Sequence, residues 1–312
     1  MTPRPDPRAW LAATPDRLRP ALEGCATGAL PANIALLRLA IEAVRPDEIE
    51  IALAQARDRA SREPRSRKAA ERLNEALALW HANPQAFGTV KAVLDGVVHD
   101  GSAADAEQGL AHWAEAFDRM ARASPEGSVA LYALGNPDLL RAATAEVIAR
   151  LSEWRLLGPD RRVLEIGCGI GRFVAALAPH VDHVTGLDMS PEMIARARER
   201  CAGLPNVLLG VSSGRDLSGV PDGAIDLILA ADVFPYLVQT GAEIVDHHVR
   251  EAARVLKPGG HLVILNFSYR GDLKRDRSDV AVLAARRGFA FRRSASDDFS
   301  LWDAATFLLE KP

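Results

Sequence analysis

The chain has 312 residues, 48% of them hydrophobic and 25% charged, with a formal net charge of −3. That is enough apolar chain for one large domain and a smaller one, each with its own core, and the slightly acidic balance argues against nucleic acid held on a basic surface. Cys25, Cys168 and Cys201 are too scattered and too few for a disulfide framework or a zinc site, and no stretch has the apolar length of a membrane span or, over Met1–Pro7, a signal core, so the expectation is no metal, no membrane and a cytoplasmic location.

The first 125 residues are rich in Ala, Leu, Arg and Glu at helical spacing, with little β-branched alternation. Helices are expected over 32–44, 46–62, 65–81, 87–99 and 103–123, with breaks at Pro31, Pro46, Pro64, Pro84 and Gly101. Ile34, Leu37, Leu39 and Ile41 form one apolar cluster, and Leu73, Leu77 and Trp80 form a stripe. No internal repeat is present. The segment reads as a helical accessory domain, 1–125, serving as a packing appendage or as the surface of a homodimer. Residues 123–128 read as a linker, and Asn136 with Pro137 as the cap of a helix over 139–154.

A buried strand follows, Val163-Leu164-Glu165-Ile166, and runs into Gly167-Cys168-Gly169-Ile170-Gly171. A strand that ends in alternate glycines and opens a helix is the nucleotide-binding corner of a doubly wound sheet. The dinucleotide pattern G-x-G-x-x-G would need a third glycine at position 172, which is Arg172, and no G-K-[ST] follows, so a pyrophosphate is not expected. Cys168 has no His partner in view and reads as a small packing residue of the turn. The next strand, His183 to Leu187, ends on Asp188, 23 residues after Glu165, the interval at which an acid accepts from ribose hydroxyls. Met189-Ser190-Pro191 then starts a helix, with Ser190 as N-cap. Further strands are expected over 206–210, 224–230, 261–265, 289–292 and 306–309, with Ser213-Gly214-Arg215-Asp216-Leu217 and Leu256-Lys257-Pro258-Gly259-Gly260 as loops between them.

Taken together and in this order, Glu165-x-Gly167-x-Gly169-x-Gly171, Leu187-Asp188-Met189-Ser190-Pro191, Asp226-Leu227-Ile228 and Leu256 to Gly260 resemble the class I S-adenosylmethionine-dependent methyltransferases over about residues 126–312. The resemblance implies an α/β fold, a doubly wound, seven-stranded, mostly parallel Rossmann-like sheet, behind the N-terminal helical domain. It implies S-adenosylmethionine as cofactor and S-adenosylhomocysteine as product. The implied cofactor residues are Glu165, Gly167, Cys168, Gly169 and Gly171 in the turn, Asp188 and Met189 after the second strand, Ser213, Gly214 and Arg215 at the adenine, and Ala231 after the fourth strand. In that family a segment ahead of the first strand folds over the cofactor, which makes Tyr132 a candidate lid residue.

Ligands of an open α/β sheet lie beyond the carboxyl ends of its strands, which selects residues 231–236 and 266–270 for the methyl acceptor. Asp232 and Tyr236 are the candidate catalytic or positioning groups there. His247 and His248 fall in a helix over 241–255 and read as solvated or core-capping. Arg270, Lys274, Arg275 and Arg277 read as a basic loop whose simplest explanation is a solvated face. Three readings follow: transfer to an O, N or C atom of a small molecule, modification of a protein or other macromolecule docked on the helical domain, or a non-catalytic cofactor-binding module. Ala230-Ala231-Asp232-Val233 replaces the [DNS]-P-P-[YFW] of nucleic-acid amino-methyltransferases, and the intact turn argues against the third reading.

Overall fold

The computed structural model describes residue 11 and residues 14–96 and 105–312. The expected helix ends at 97–99 and 103–104 and the break at Gly101 lie outside the described residues. Two compact units emerge. The first comprises the chain to Asp95 with Glu126–Ala143 and Ser300–Asp303, and the second comprises Gly96–Pro125, Thr144–Phe299 and Ala304–Pro312.

Among the described residues the first unit runs through α1 (Arg19–Thr27), α2 (Ala32–Glu42), α3 (Pro46–Ser61), α4 (Arg67–Ala82) and α5 (Ala86–Gly96), whose last residue is counted with the second unit. Pro46 opens α3 at its first turn, beside Asp47 and Glu48, where a missing N–H costs nothing and negative charge meets the helix dipole. Leu22, Leu36, Leu39, Leu53, Leu73 and Trp80 are buried in one core. The apolar cluster expected on α2 divides there. Leu39 is buried and Ile41 is 39% exposed, because two residues apart on a helix face opposite sides.

The boundary of this unit differs from the expected one at 125/126. Asn33 is buried on α2, and its Nδ2 donates to the carbonyls of Tyr132 (3.0 Å) and Leu301 (2.7 Å). The Tyr132 ring stacks on Trp302 with centroids 5.0 Å apart. Asn136 Oδ1 accepts from the N–H groups of Asp138 (2.8 Å) and Leu139 (3.1 Å), the cap the sequence suggests, and its Nδ2 donates to Asn83. Buried amides must find partners, and here those partners come from two distant stretches of chain. Asn33→Ala is expected to lower unfolding free energy by about 1–3 kcal/mol, the net worth of the two hydrogen bonds its amide makes. Urea unfolding followed by circular dichroism checks this, and an unchanged midpoint contradicts it.

The second unit begins with α6 (Ala106–Ala123), which the sequence reading had assigned to the helical accessory domain. Its buried face, Leu110, Trp113, Ala116 and Met120, packs within the second unit against the two helices named below as α10 and α11. After the short α7 (Pro125–Val129) comes α8 (Pro137–Glu153), which counts with the second unit from Thr144. The chain then alternates: β1 (Gly158–Ile166), α9 (Arg172–Leu177), β2 (Val181–Asp188), α10 (Pro191–Arg200), β3 (Val207–Val211), β4 (Ile225–Ala231), α11 (Phe234–Thr240), α12 (Ala242–Val255), β5 (Leu256–Leu265), α13 (Leu273–Arg287), β6 (Ala290–Asp297) and β7 (Ala305–Glu310).

These seven strands form one sheet in the order β3-β2-β1-β4-β5-β7-β6. β1 to β5 are parallel, and β7 runs antiparallel between β5 and β6. The near-continuous apolar runs of β1 and β4 suit strands covered by helices on both faces. Leu164, Ile228, Phe234, Leu262, Ile264 and Phe307 are buried in the same core. The order reverses between β1 and β4, which opens a ligand crevice at their carboxyl ends. The expected basic loop is mostly the first turns of α13, and Arg270 ahead of it pairs with Asp276 (2.6 Å) and Asp279 (2.5 Å). No helix among the described residues is long and apolar enough to cross a membrane.

Candidate functional site

At the carboxyl end of β1 the chain turns through Gly167, Gly169 and Gly171 with φ of 64°, 52° and 74°. Side chains other than glycine seldom adopt these values. At Gly171 an added Cβ would lie 3.0 Å from Cβ of Ala197 and 3.1 Å from its Cα, so α10 could not pack as closely. Gly169 donates its N–H to Oδ2 of Asp188 at 2.8 Å, which locks the turn onto the end of β2. Cys168 is buried and donates its N–H to the carbonyl of Leu187 at 3.0 Å. Burial pushes its thiol pKa well up, so it packs the turn and offers no thiolate.

Two buried carboxylates face this turn. Glu165, 2% exposed, accepts from the Val174 N–H in the first turn of α9, yet its Oε2 has no hydrogen-bond partner. Burial raises its pKa well above the ordinary value, with Arg172 opposing and Asp188 adding to the shift. Asp188 Oδ1 accepts from the Ser190 N–H at 2.9 Å, and Oδ2 from Gly169. Each carboxylate oxygen retains a second acceptor position for a ligand hydroxyl. Burial raises the Asp188 pKa to about 6, against the pull of the Ser190, Gly169 and Met189 N–H groups.

A buried carboxylate oxygen without a partner suits a cationic group and repels a phosphate. S-adenosylmethionine has no phosphate and carries an ammonium and a sulfonium, so these residues fit it where they would not fit a dinucleotide. Asp188 also sets a pH dependence. Its raised pKa means that the free protein holds a proton the unfolded chain lacks between about pH 4 and 6, so this group's contribution to stability falls as pH rises through that window. A ligand that donates hydroxyls to the carboxylate has the opposite preference. Affinity for S-adenosylhomocysteine is therefore expected to be flat above pH 7 and to fall below about pH 6, toward tenfold per unit. Calorimetry between pH 5 and 8 checks this, and an affinity unchanged at pH 5 contradicts it.

The loop after β3 meets the residue after Asp188. A Cβ at Gly214 would lie 2.4 Å from Cε of Met189 and 3.3 Å from Cδ2 of Leu110. Ser213 Oγ accepts from the Arg215 N–H at 3.2 Å. Arg215 pairs with Glu107 of α6 at 2.7 Å. The helix missing from the sequence reading of this region, α6, therefore borders the loop assigned to adenine. Tyr132 is counted with the first unit, where its ring stacks on Trp302.

The segments expected to face a methyl acceptor lie at the tips of β4 and β5. Ala231 ends β4 opposite Leu265, and Asp232 follows with φ of 57°. Asn266, after β5, also has a positive φ, 64°, and donates Nδ2 to Oδ1 of Asp232 at 2.8 Å. Two non-glycine residues held in the left-handed region at adjacent strand tips store local strain of the kind that gathers at functional sites. Burial, with the Asp232 charge, pushes the Tyr236 phenol up, so it stays neutral, and Tyr269 beside it is 54% exposed. Tyr236 meets Trp113, Phe117 and Tyr269 edge-on, with ring centroids at 4.8, 4.9 and 5.9 Å.

Asp232 and Tyr236 are thus together, with Asn266 and Tyr269 from the segment 266–270 that the strand-end rule also selects, whereas nothing in the sequence assigns Trp113 and Phe117 to this end. The aromatic pair at positions 113 and 117 of one helix was the available signal. His248 is buried with Nδ1 against the Ile244 carbonyl, and His247 contacts Arg250; both lie on α12, outside this cluster. Among the described residues no group of three or more His, Cys, Asp or Glu is arranged to hold a metal ion.

An acid-led glycine turn, a second acid ending β2 and this strand order define a Rossmann-like methyltransferase domain. Residues 164–264 match the family model described as "Methyltransferase domain". The demethylmenaquinone methyltransferase of Tropheryma whipplei (strain Twist) is 33% identical over 155 residues, 49% of this chain and 58% of that protein. The 27-O-demethylrifamycin SV methyltransferase of Amycolatopsis mediterranei is 30% identical over 132 residues, 41% and 46% of the two chains. Among solved structures, phosphoethanolamine N-methyltransferase 1 of Haemonchus contortus aligns with a TM-score of 0.48 at 16% identity, covering 69% of this chain and 51% of that one. Over these residues the chain is similar to the class I S-adenosylmethionine-dependent methyltransferases, and S-adenosylmethionine is the cofactor of that family. It spans less than two thirds of the length of these curated relatives.

Proposed function

We propose that the protein transfers the methyl group of S-adenosylmethionine to a nucleophilic O, N or C atom of a small molecule, in the cytoplasm. The observation that carries this reading is the pair of buried acids, Glu165 with its unpartnered Oε2 and Asp188 bound to the Gly169 N–H, at the reversal point of the sheet. The relatives named for small-molecule acceptors, among them quinone and rifamycin methyltransferases, support it.

In this reading Glu165 receives the cationic end of the cofactor, and Asp188 accepts from the ribose hydroxyls. Gly167 and Gly169 let the backbone approach, with Cys168 and Gly171 shaping the turn. Met189, Ser213 and Gly214 border the adenine, with Arg215 held outside by Glu107. The cofactor supplies an already activated methyl group. The protein's task is to exclude water and hold the acceptor atom in line with the sulfur–methyl bond, so that the new bond forms as the old one breaks. Asp232 and Tyr236, near Ala231, orient the acceptor, and Asp232 takes the proton of an acceptor that arrives protonated.

The test is calorimetric titration with S-adenosylhomocysteine and, separately, NADH, followed by transfer of labelled methyl to a panel of small acceptors. Micromolar binding of the first ligand alone, with label appearing in a small product, is the expected result. Binding of NADH, or label appearing only in protein, overturns the reading.

A further inference from the structure

Helix α6 touches both ends of the site within its own unit. On the cofactor side, Leu110 lies against Gly214 and Met189, Glu107 pairs with Arg215, and Arg122 approaches Glu192 at 3.5 Å. On the acceptor side, Trp113 and Phe117 meet Tyr236, and a Cβ at Gly109 would lie 3.0 Å from Thr240. Positions 110, 113 and 117 share one face of a helix, so the wall of the acceptor end and the edge of the adenine loop move as one body.

Asp118, on the same helix, makes the most specific attachment. Its Oδ1 accepts from the Ser190 hydroxyl and from the Glu192 N–H (3.1 Å), so it caps α10 from another element. Ser190 caps α10 as well, its Oγ accepting from the Met193 N–H at 3.1 Å, while its own N–H is donated to Asp188. One residue, Ser190, therefore holds the ribose-binding carboxylate by its backbone and α6 by its side chain.

We propose that Asp118 is a positioning residue that ties α6 to the ribose-binding turn through Ser190, so that bound cofactor favours the arrangement of α6 that completes the acceptor site. This rests on the cofactor reading of Asp188. A ligand that fixes Asp188 fixes Ser190 and with it the partner of Asp118, which favours the docked position of α6 and places Trp113 and Phe117 over the acceptor. The coupling is reciprocal, so an acceptor resting on α6 tightens the cofactor in return.

The experiment is hydrogen exchange of the full chain with and without S-adenosylhomocysteine, paired with calorimetry, on the native protein, Asp118→Ala and Asp118→Asn. In the native protein the ligand is expected to protect the amides of 106–123 as well as those of the 167–171 turn. Asp118→Ala should bind about tenfold more weakly, keep protection in the turn and lose it in α6. Asp118→Asn keeps an oxygen that accepts from Ser190 and Glu192, and should restore protection of α6; an unfolded or merely loosened helix would not show that rescue. Native-like affinity and α6 protection in Asp118→Ala overturn the proposal, as does native binding that leaves α6 exchange unchanged. Absence of ligand binding to the native protein overturns the cofactor reading itself, and this proposal with it.

Discussion

Gly169→Val is expected to abolish cofactor binding while leaving the fold in place. The residue sits at φ of 52° and its N–H is committed to Asp188, so a β-branched side chain must either hold a strained backbone or swing that N–H away. Strain of this kind costs about 1–3 kcal/mol. The new methyl groups would also occupy the face from which a ligand approaches the turn. Together these amount to a loss of at least about a hundredfold in affinity, or roughly 3 kcal/mol. Calorimetry with S-adenosylhomocysteine reads the loss, and circular dichroism reports whether the sheet survives. A folded variant that binds like the native protein removes the basis for assigning the turn to the cofactor.

The second large effect is expected at Asp188. Replacing it by alanine removes charge-assisted acceptors for the ribose hydroxyls, each worth about 1.5–3 kcal/mol, so affinity should drop at least tenfold. The same change strips the Gly169 and Ser190 N–H groups of their acceptor, and some loss of stability will accompany it. Asp188→Asn separates the two effects. It keeps an oxygen for one N–H, carries no titrating group, and should bind weakly with no fall in affinity below pH 6. Affinity equal to the native value in both variants would contradict the ribose assignment, and a persistent acid limb in Asp188→Asn would move the titration to Glu165.

Much of the second unit could be read from local chemistry. Val163, Leu164 and Ile166 are apolar around Glu165 because β1 is covered on both faces, the glycines alternate because the turn needs positive φ at 167, 169 and 171, and Ser190-Pro191 is a helix start. Each of these signals lies within a few residues of its cause. The strands placed at 206–210 and 224–230 appear as Val207–Val211 and Ile225–Ala231 for the same reason.

Membership of the units was less legible. Position in the chain places residues 103–123 in a helical accessory domain and Tyr132 ahead of the first strand. In the structure α6 is counted with the sheet, and Tyr132 stacks on Trp302 in the helical unit. Helical periodicity states that Leu110, Trp113 and Phe117 share a face. It cannot state which surface buries that face, because burial depends on partners such as Tyr236 and Met189 that lie far along the chain.

The sequence by itself therefore determined the strand–turn–helix corner, the two acids and the methyltransferase resemblance they carry, since backbone conformation and hydrogen-bonding chemistry are decided over short stretches. Only the tertiary structure decided that Asn266 joins Asp232, that Asn33 gathers Tyr132 and Leu301, and that Asp118 reaches Ser190. Those pairings satisfy buried polar groups across large separations in sequence, and the residue that will meet such a need becomes fixed only when the chain has packed.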